Sequence, residues 1–144
     1  MSSEPRKQQI IHLFDGVATA GKLGKHSPYY YRHLHALVES LVPAPGRTLE
    51  LGSGTGDLLA GLNAPERVGI DISPATVAAA KQRHPELDLR VGDAETVEME
   101  GGFDNVLMVN LVGLLDDVYA TLSRTHRLLN PDGRLLIAYY NHLW

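Results

Sequence analysis

Between Leu49 and Asp57 the chain reads Leu-Glu-Leu-Gly-Ser-Gly-Thr-Gly-Asp, an apolar run that meets three glycines alternating with small polar residues. Leu58, Leu59 and Leu62 follow at helical spacing. The pattern predicts a strand, a tight turn and a helix start. Glycine at alternate positions lets the backbone take φ > 0 and removes the Cβ atoms that would hold a ligand away from the turn. A flat or charged ligand is therefore expected on Gly52, Ser53, Gly54 and Gly56.

The neighbouring charges discriminate between two ligand classes. A dinucleotide site uses G-x-G-x-x-G with a pyrophosphate on the helix start. Here the third glycine comes one residue early, Glu50 stands just before the turn and Asp57 just after it. No Lys or Arg lies between Thr48 and Glu66 to offset these carboxylates, so a pyrophosphate would be repelled. A cationic ligand without phosphate fits better, and S-adenosylmethionine is such a ligand.

The run Glu50-Leu51-Gly52-Ser53-Gly54-Thr55-Gly56 resembles the first motif of the class I S-adenosylmethionine-dependent methyltransferases, in which an acidic residue precedes G-x-G-x-G. The resemblance implies an α/β Rossmann-like doubly wound parallel sheet in strand order 3-2-1-4-5. It also implies S-adenosylmethionine, or its product S-adenosylhomocysteine, as cofactor. Ligands of such sheets bind outside the carboxyl ends of the strands, so the residues just after each strand are the ones to examine. Asp71, followed by Ile72, ends the second strand at the ~20-residue interval where a carboxylate accepts from ribose hydroxyls; the alternative is a helix-capping Asp. Gly92-Asp93-Ala94 resembles the family's adenine-contacting segment, with Asp93 accepting from the exocyclic amine and Ala94 meeting the ring through its backbone; the alternative is a solvated acidic loop with Glu95 and Glu98. Asn110-Leu111 is expected beside the amino-acid half of the cofactor, where Asn110 either orients an acceptor or caps the next helix. Phe14-Asp15 together with Tyr30 resembles the lid of a bacterial subgroup associated with glycosyltransferases, which makes Tyr30 the expected ligand contact and Tyr31 a core residue.

These residues need elements to hold them. Ile10, Leu13, Phe14 and Val17 fall at helical spacing, predicting an amphipathic helix from Glu4 to about Val17 and a loop from Ala18 to His26. Ser27-Pro28 caps a second helix carrying Tyr31, Leu34, Val38 and Leu41, ended by Pro43 to Gly46. The resemblance makes residues 1–46 a helical lid and 47–144 the cofactor-binding core. In the core, strands are predicted at Arg47–Leu51, Arg67–Asp71, Leu87–Val91, Phe103–Val109 and Arg134–Tyr140. Helices are predicted from about Thr55 to Leu62, Pro74 to His84 and Leu114 to Leu129, with a turn at Asn130 to Gly133. Strands alternating with helices predict right-handed crossovers and a parallel sheet.

The 144 residues suit one domain with a real core. A formal net charge of −4 offers no general attraction to nucleic acid or anionic membrane. Cysteine is absent, which excludes thiol catalysis and agrees with a cytoplasmic setting. No apolar run approaches a membrane span. His33 and His35 point to different faces of a helix and the other histidines are scattered, so no metal and no catalytic base are assigned. The resemblance implies methyl transfer to a small-molecule or glycan-linked acceptor. The alternative is a cofactor-binding module without activity of its own, completed by a partner chain or a missing C-terminal region, because the family's domain normally continues beyond a fifth strand. Leu135 to Tyr140 reads as a strand buried on both faces. Its outer edge is expected either to pair with a second copy or partner chain or to be covered by the N-terminal helix.

Overall fold

The central strands β1 (Thr48–Leu51) and β4 (Phe103–Val109) are buried along almost their whole length because both sheet faces are covered, the usual state of parallel strands. With β2 (Arg67–Asp71), β3 (Asp88–Val91) and β5 (Leu129–Ala138) they form one sheet in the order β3-β2-β1-β4-β5, every neighbouring pair parallel. Both the architecture and the strand order agree with the sequence expectation. The computed structural model describes residues 4–24, 28–42 and 46–139. Ser27, Pro43 to Pro45 and the stretch from Tyr140 to Trp144 lie outside the described residues.

Alternating side chains divide the core between the two faces. Leu49, Leu51, Val68, Ile70, Val106 and Met108 pack with Leu128 of α5 (Val118–Leu128). Leu107, from the same strand as Val106, instead joins Leu34 and Val38 of α2 (Pro28–Leu41), Leu59 of α3 (Asp57–Gly61), and Val77 and Ala80 of α4 (Pro74–Arg83). The N-terminal helix α1 (Glu4–Thr19) packs on α4. On α1, Ile10, Phe14 and Val17 are half-buried as expected, whereas Leu13 is 62% exposed.

Several boundaries depart from the sequence reading. Helix α3 begins at Asp57 rather than Thr55, because Gly56 is left-handed and still belongs to the turn. The helix expected from Leu114 to Leu129 is a 3₁₀ turn at Val112–Leu114 followed by α5, whose first turn is capped by Asp117 accepting from Ala120 N at 2.9 Å. Strand β3 begins at Asp88, one residue after Leu87. Strand β5 starts before the expected turn, not after it: Leu129 pairs with Phe103, residues 130–133 loop out, and pairing resumes at Arg134 with Asn105.

The end of β5 also differs. Leu135, Leu136 and Ala138 are half-buried and Ile137 is 45% exposed, rather than buried on both faces, because β5 ends the sheet. α1 does not cover this edge, since it is committed to α4. A cleft of about 310 Å³ separates the end of α2, at Leu41 and Val42, from Leu135, Leu136 and Ile137.

Candidate functional site

The glycine turn sits at the carboxyl end of β1. Gly52, Gly54 and Gly56 have φ of 74°, 51° and 74°, a region where a Cβ clashes with the backbone. Gly52 N and Ser53 N donate to Ile70 O at 2.8 and 3.0 Å, tying the turn to β2. A Cβ built on Gly52 would stand 3.0 Å from Leu111 Cδ1, so Leu111 backs the turn. A Cβ on Gly54 meets nothing within 4 Å. The requirement at Gly54 is thus left-handed backbone, and the space above it is open among the described residues.

Two carboxylates lie beneath that space. Asp71 accepts from Gly54 N at 2.9 Å through one oxygen and from Ser73 N at 3.0 Å through the other, which locks the turn against the start of α4. Glu50 is 3% exposed, and its Oε2 is buried with no hydrogen-bond partner among the described residues. Desolvation, with repulsion from Asp71 added, pushes its pKa up to about 8. Burial also raises the Asp71 pKa, against the pull of the Ser73 and Gly54 backbone donors, and nearby Asp15 raises it further.

Asp57 behaves differently from the expectation. Its carboxylate is met by His84 Nε2 at 2.7 Å and Arg83 Nε at 2.9 Å, both from the far end of α4. Its charge therefore does not bear on a ligand as Glu50's does. These partners were invisible in the local sequence because they come from 26 and 27 residues away.

At the end of β3, Asp93 Oδ1 accepts from Glu95 N at 2.9 Å, and its other oxygen is held by Lys7 of α1. The Ala94 side chain is buried in the core cluster, which leaves only its backbone for a ligand. Ile72, between Asp71 and the α4 cap Ser73, is half-buried. At the end of β4, Asn110 is the only non-glycine residue with positive φ, 56°, among the described residues, and its Oδ1 is buried without a partner. The capping role is excluded, since Asp117 caps α5 and no side chain caps the 3₁₀ turn. Tyr30 and Tyr31 stand edge to face, ring centroids 5.3 Å apart, and Tyr30 packs against the α2 core cluster. Both tyrosines are half-buried, so Tyr30 packs on the core and still keeps an accessible side.

Glu50, the glycine turn, Asp71, Asp93 and Asn110 therefore converge on the carboxyl ends of four adjacent strands, where the strand order reverses. Residues 49–135 match the methyltransferase domain family. The chain belongs to that family. Its fold is that of the S-adenosylmethionine-dependent methyltransferases. The demethylmenaquinone methyltransferase of Beutenbergia cavernae is 34% identical over 110 residues, 74% of this chain and 46% of the relative. The ubiquinone biosynthesis O-methyltransferase of Rhodopseudomonas palustris is 32% identical over 104 residues, 68% of this chain and 41% of the relative. The chain thus spans about half the length of these curated relatives. Among solved structures, the complex of DhpI with SAH superposes with a TM-score of 0.75 at 22% identity, covering 98% of this chain and 72% of DhpI.

Three residues, Lys7, Arg6 and Glu95, escaped the sequence reading of the site, and Asp15 entered it only through the lid resemblance. Asp15 of α1 accepts from Ser73 Oγ at 2.5 Å and Ala75 N at 3.1 Å, adding a second carboxylate near Asp71. Lys7 pairs with Asp93 and, at 2.9 Å, with Glu95. Arg6 reaches Gly113 O, Leu115 O and Asp116 at 3.1, 3.0 and 2.7 Å. Lys7, Arg6 and Glu95 carried no distinguishing signal, being ordinary charged residues in a polar helix and an acidic loop. Among the described residues no group of three or more His, Asp or Glu side chains could hold a metal ion, and no helix is long and apolar enough to cross a membrane.

Proposed function

We propose that this chain binds S-adenosylmethionine across the strand ends and directs its methyl group to a small-molecule acceptor. The observation that carries the reading is Glu50, a fully buried carboxylate with an unpartnered oxygen under an open glycine turn. Such a group calls for a cation, and with Asp71 beside it the pocket disfavours phosphate. In this reading Asp71 accepts from the ribose hydroxyls with the lone pairs that Gly54 and Ser73 leave free. Asp93 accepts from the adenine amine, Ala94 and Ile72 line the purine, and Tyr30 with residues 1–46 closes the lid over the core of 47–144.

The cofactor supplies a sulfonium-bound methyl whose leaving group departs neutral, so the protein's work is to hold the acceptor ~3–3.5 Å from that carbon. Asn110 is suited to that work, because its unpartnered Oδ1 can take a hydrogen bond from an acceptor hydroxyl or amine. The two curated relatives are named for ubiquinone biosynthesis and for demethylmenaquinone, which supports a small-molecule acceptor, and the lid resemblance supports a glycan-linked one. A cytoplasmic setting accords with either. The second reading, a binding module completed by another strand-bearing chain or a second copy, is favoured by the exposed apolar end of β5. Titration calorimetry with S-adenosylmethionine, S-adenosylhomocysteine and NAD tests the first step: the two sulfur compounds bind and NAD does not. Binding of NAD alone would overturn it. Turnover of a panel of hydroxyl and amine acceptors by the chain alone then separates enzyme from module.

A further inference from the structure

We propose that Lys7 is a positioning residue of the adenine subsite, holding the Asp93 carboxylate while the site is empty and releasing it, while keeping Glu95, when an adenine amine arrives. The inference rests on the reading of Asp93 given above and adds to it the residue that competes for that carboxylate.

Lys7 lies between two carboxylates of unequal freedom. Glu95 is fixed: besides Lys7 it accepts from Asp116 N at 3.1 Å and Asp117 N at 2.7 Å, so it cannot leave without undoing the lead-in to α5. Asp93 is anchored through one oxygen by Glu95 N, and the other oxygen is the one Lys7 occupies. An ammonium and an adenine amine are both donors, so an arriving amine must share that oxygen with the ammonium or displace it. All three side chains are largely shielded from solvent, at 19%, 21% and 10% exposure for Lys7, Asp93 and Glu95. Burial alone would lower the Lys7 pKa, yet the hydrogen bonds to Asp93 and Glu95 hold it above the ordinary lysine value, so the ammonium stays charged.

The placement of Lys7 makes the exchange consequential. Its helix is pinned at three points along the strand ends: Asp15 on the α4 N-terminus, Lys7 on the segment after β3, and Arg6 on the segment after β4. Of these only the Lys7 contact engages a group that the ligand itself needs. Filling the adenine subsite therefore removes one of Lys7's two partners and leaves the other anchors of α1 in place.

The test uses S-adenosylhomocysteine binding by calorimetry and stopped flow, with amide hydrogen exchange over residues 4–19 of the free protein. Lys7→Met should bind roughly three- to tenfold tighter, mainly through faster association, the range expected for removing one shielded ion-pair competitor. Raising the salt should bring wild type toward the variant. Lys7→Arg should restore wild-type behaviour. Arg6→Gln loosens α1 without freeing Asp93, so it should raise exchange over residues 4–19 with no comparable gain in affinity. The proposal is overturned if Lys7→Met binds no better than wild type while wild type binds, or if Arg6→Gln reproduces the gain. If neither wild type nor Lys7→Met binds S-adenosylhomocysteine, the cofactor reading itself falls and this proposal with it.

Discussion

Replacing Glu50 by Gln should make the protein more stable and less able to bind a cationic cofactor. Glu50 is buried, its Oε2 has no partner among the described residues, and its pKa stands at about 8 against an ordinary 4.5. The raised value means that the folded state keeps a proton the unfolded chain has already lost. Stability from this group is therefore complete below pH 4.5, declines as pH rises, and is fully lost above about 8. At pH 7 the accumulated penalty is about 1.4 kcal/mol for each of roughly 2.5 pH units, or about 3 kcal/mol. For a domain of this size that is about 10 °C in melting temperature. Glu50→Gln removes the ionisation and keeps the volume, so its melting temperature should match wild type near pH 4.5 and exceed it by about that margin at pH 7. Calorimetric melts from pH 4.5 to 8.5 measure the difference. Above about pH 8, where Glu50 is ionised, the same variant should bind S-adenosylmethionine less well relative to S-adenosylhomocysteine than wild type does, because the two ligands differ by the sulfonium charge. A variant that melts below wild type throughout this pH range would refute the argument that Glu50 is a strained, uncompensated acid.

Four further outcomes follow from the geometry. Asp71→Asn should weaken S-adenosylhomocysteine at least about tenfold, since hydrogen bonds to a charged group contribute about 1.5–3 kcal/mol; unchanged affinity in a folded variant refutes the ribose role. Gly54→Val should abolish cofactor binding, because its Cβ would enter the open space above the turn and its φ of 51° disfavours a β-branched residue; retained affinity by calorimetry would make the turn purely structural. Asn110→Gly should raise the melting temperature slightly, by relieving a non-glycine residue held at φ 56°, while lowering turnover with S-adenosylmethionine and a working acceptor; a gain in both would refute a functional role for Asn110. Wild type should self-associate in light scattering over a concentration series through the β5 edge, and Ile137→Pro should reduce that association by removing a donor from the exposed strand; identical scattering by the two proteins argues against edge pairing.

The sheet was legible because its determinants are local. Each strand is a short apolar run between turn signals, and strands alternating with helices leave few topologies open. The glycine turn was legible for the same reason, since left-handed backbone at alternate residues demands glycine whatever surrounds it. The boundaries that shifted are those where a single residue has two local options. Gly56 prolonged the turn instead of joining α3, and Asp117 began α5 later than the apolar pattern suggested.

The sequence by itself therefore determined the fold class, the strand order implied by resemblance, and which strand-end residues converge: Glu50, the glycines, Asp71, Asp93 and Asn110. Tertiary structure decided which of those charges remain uncompensated. Asp57 finds Arg83 and His84, and Asp93 finds Lys7, while Glu50 has no cation beside it among the described residues. The physical reason is that ion pairing depends on distance through space, and these partners lie 26 to 86 residues apart along the chain. Backbone pattern is written in neighbours, whereas the electrostatic character of the pocket is set by what α1 and the end of α4 bring to it.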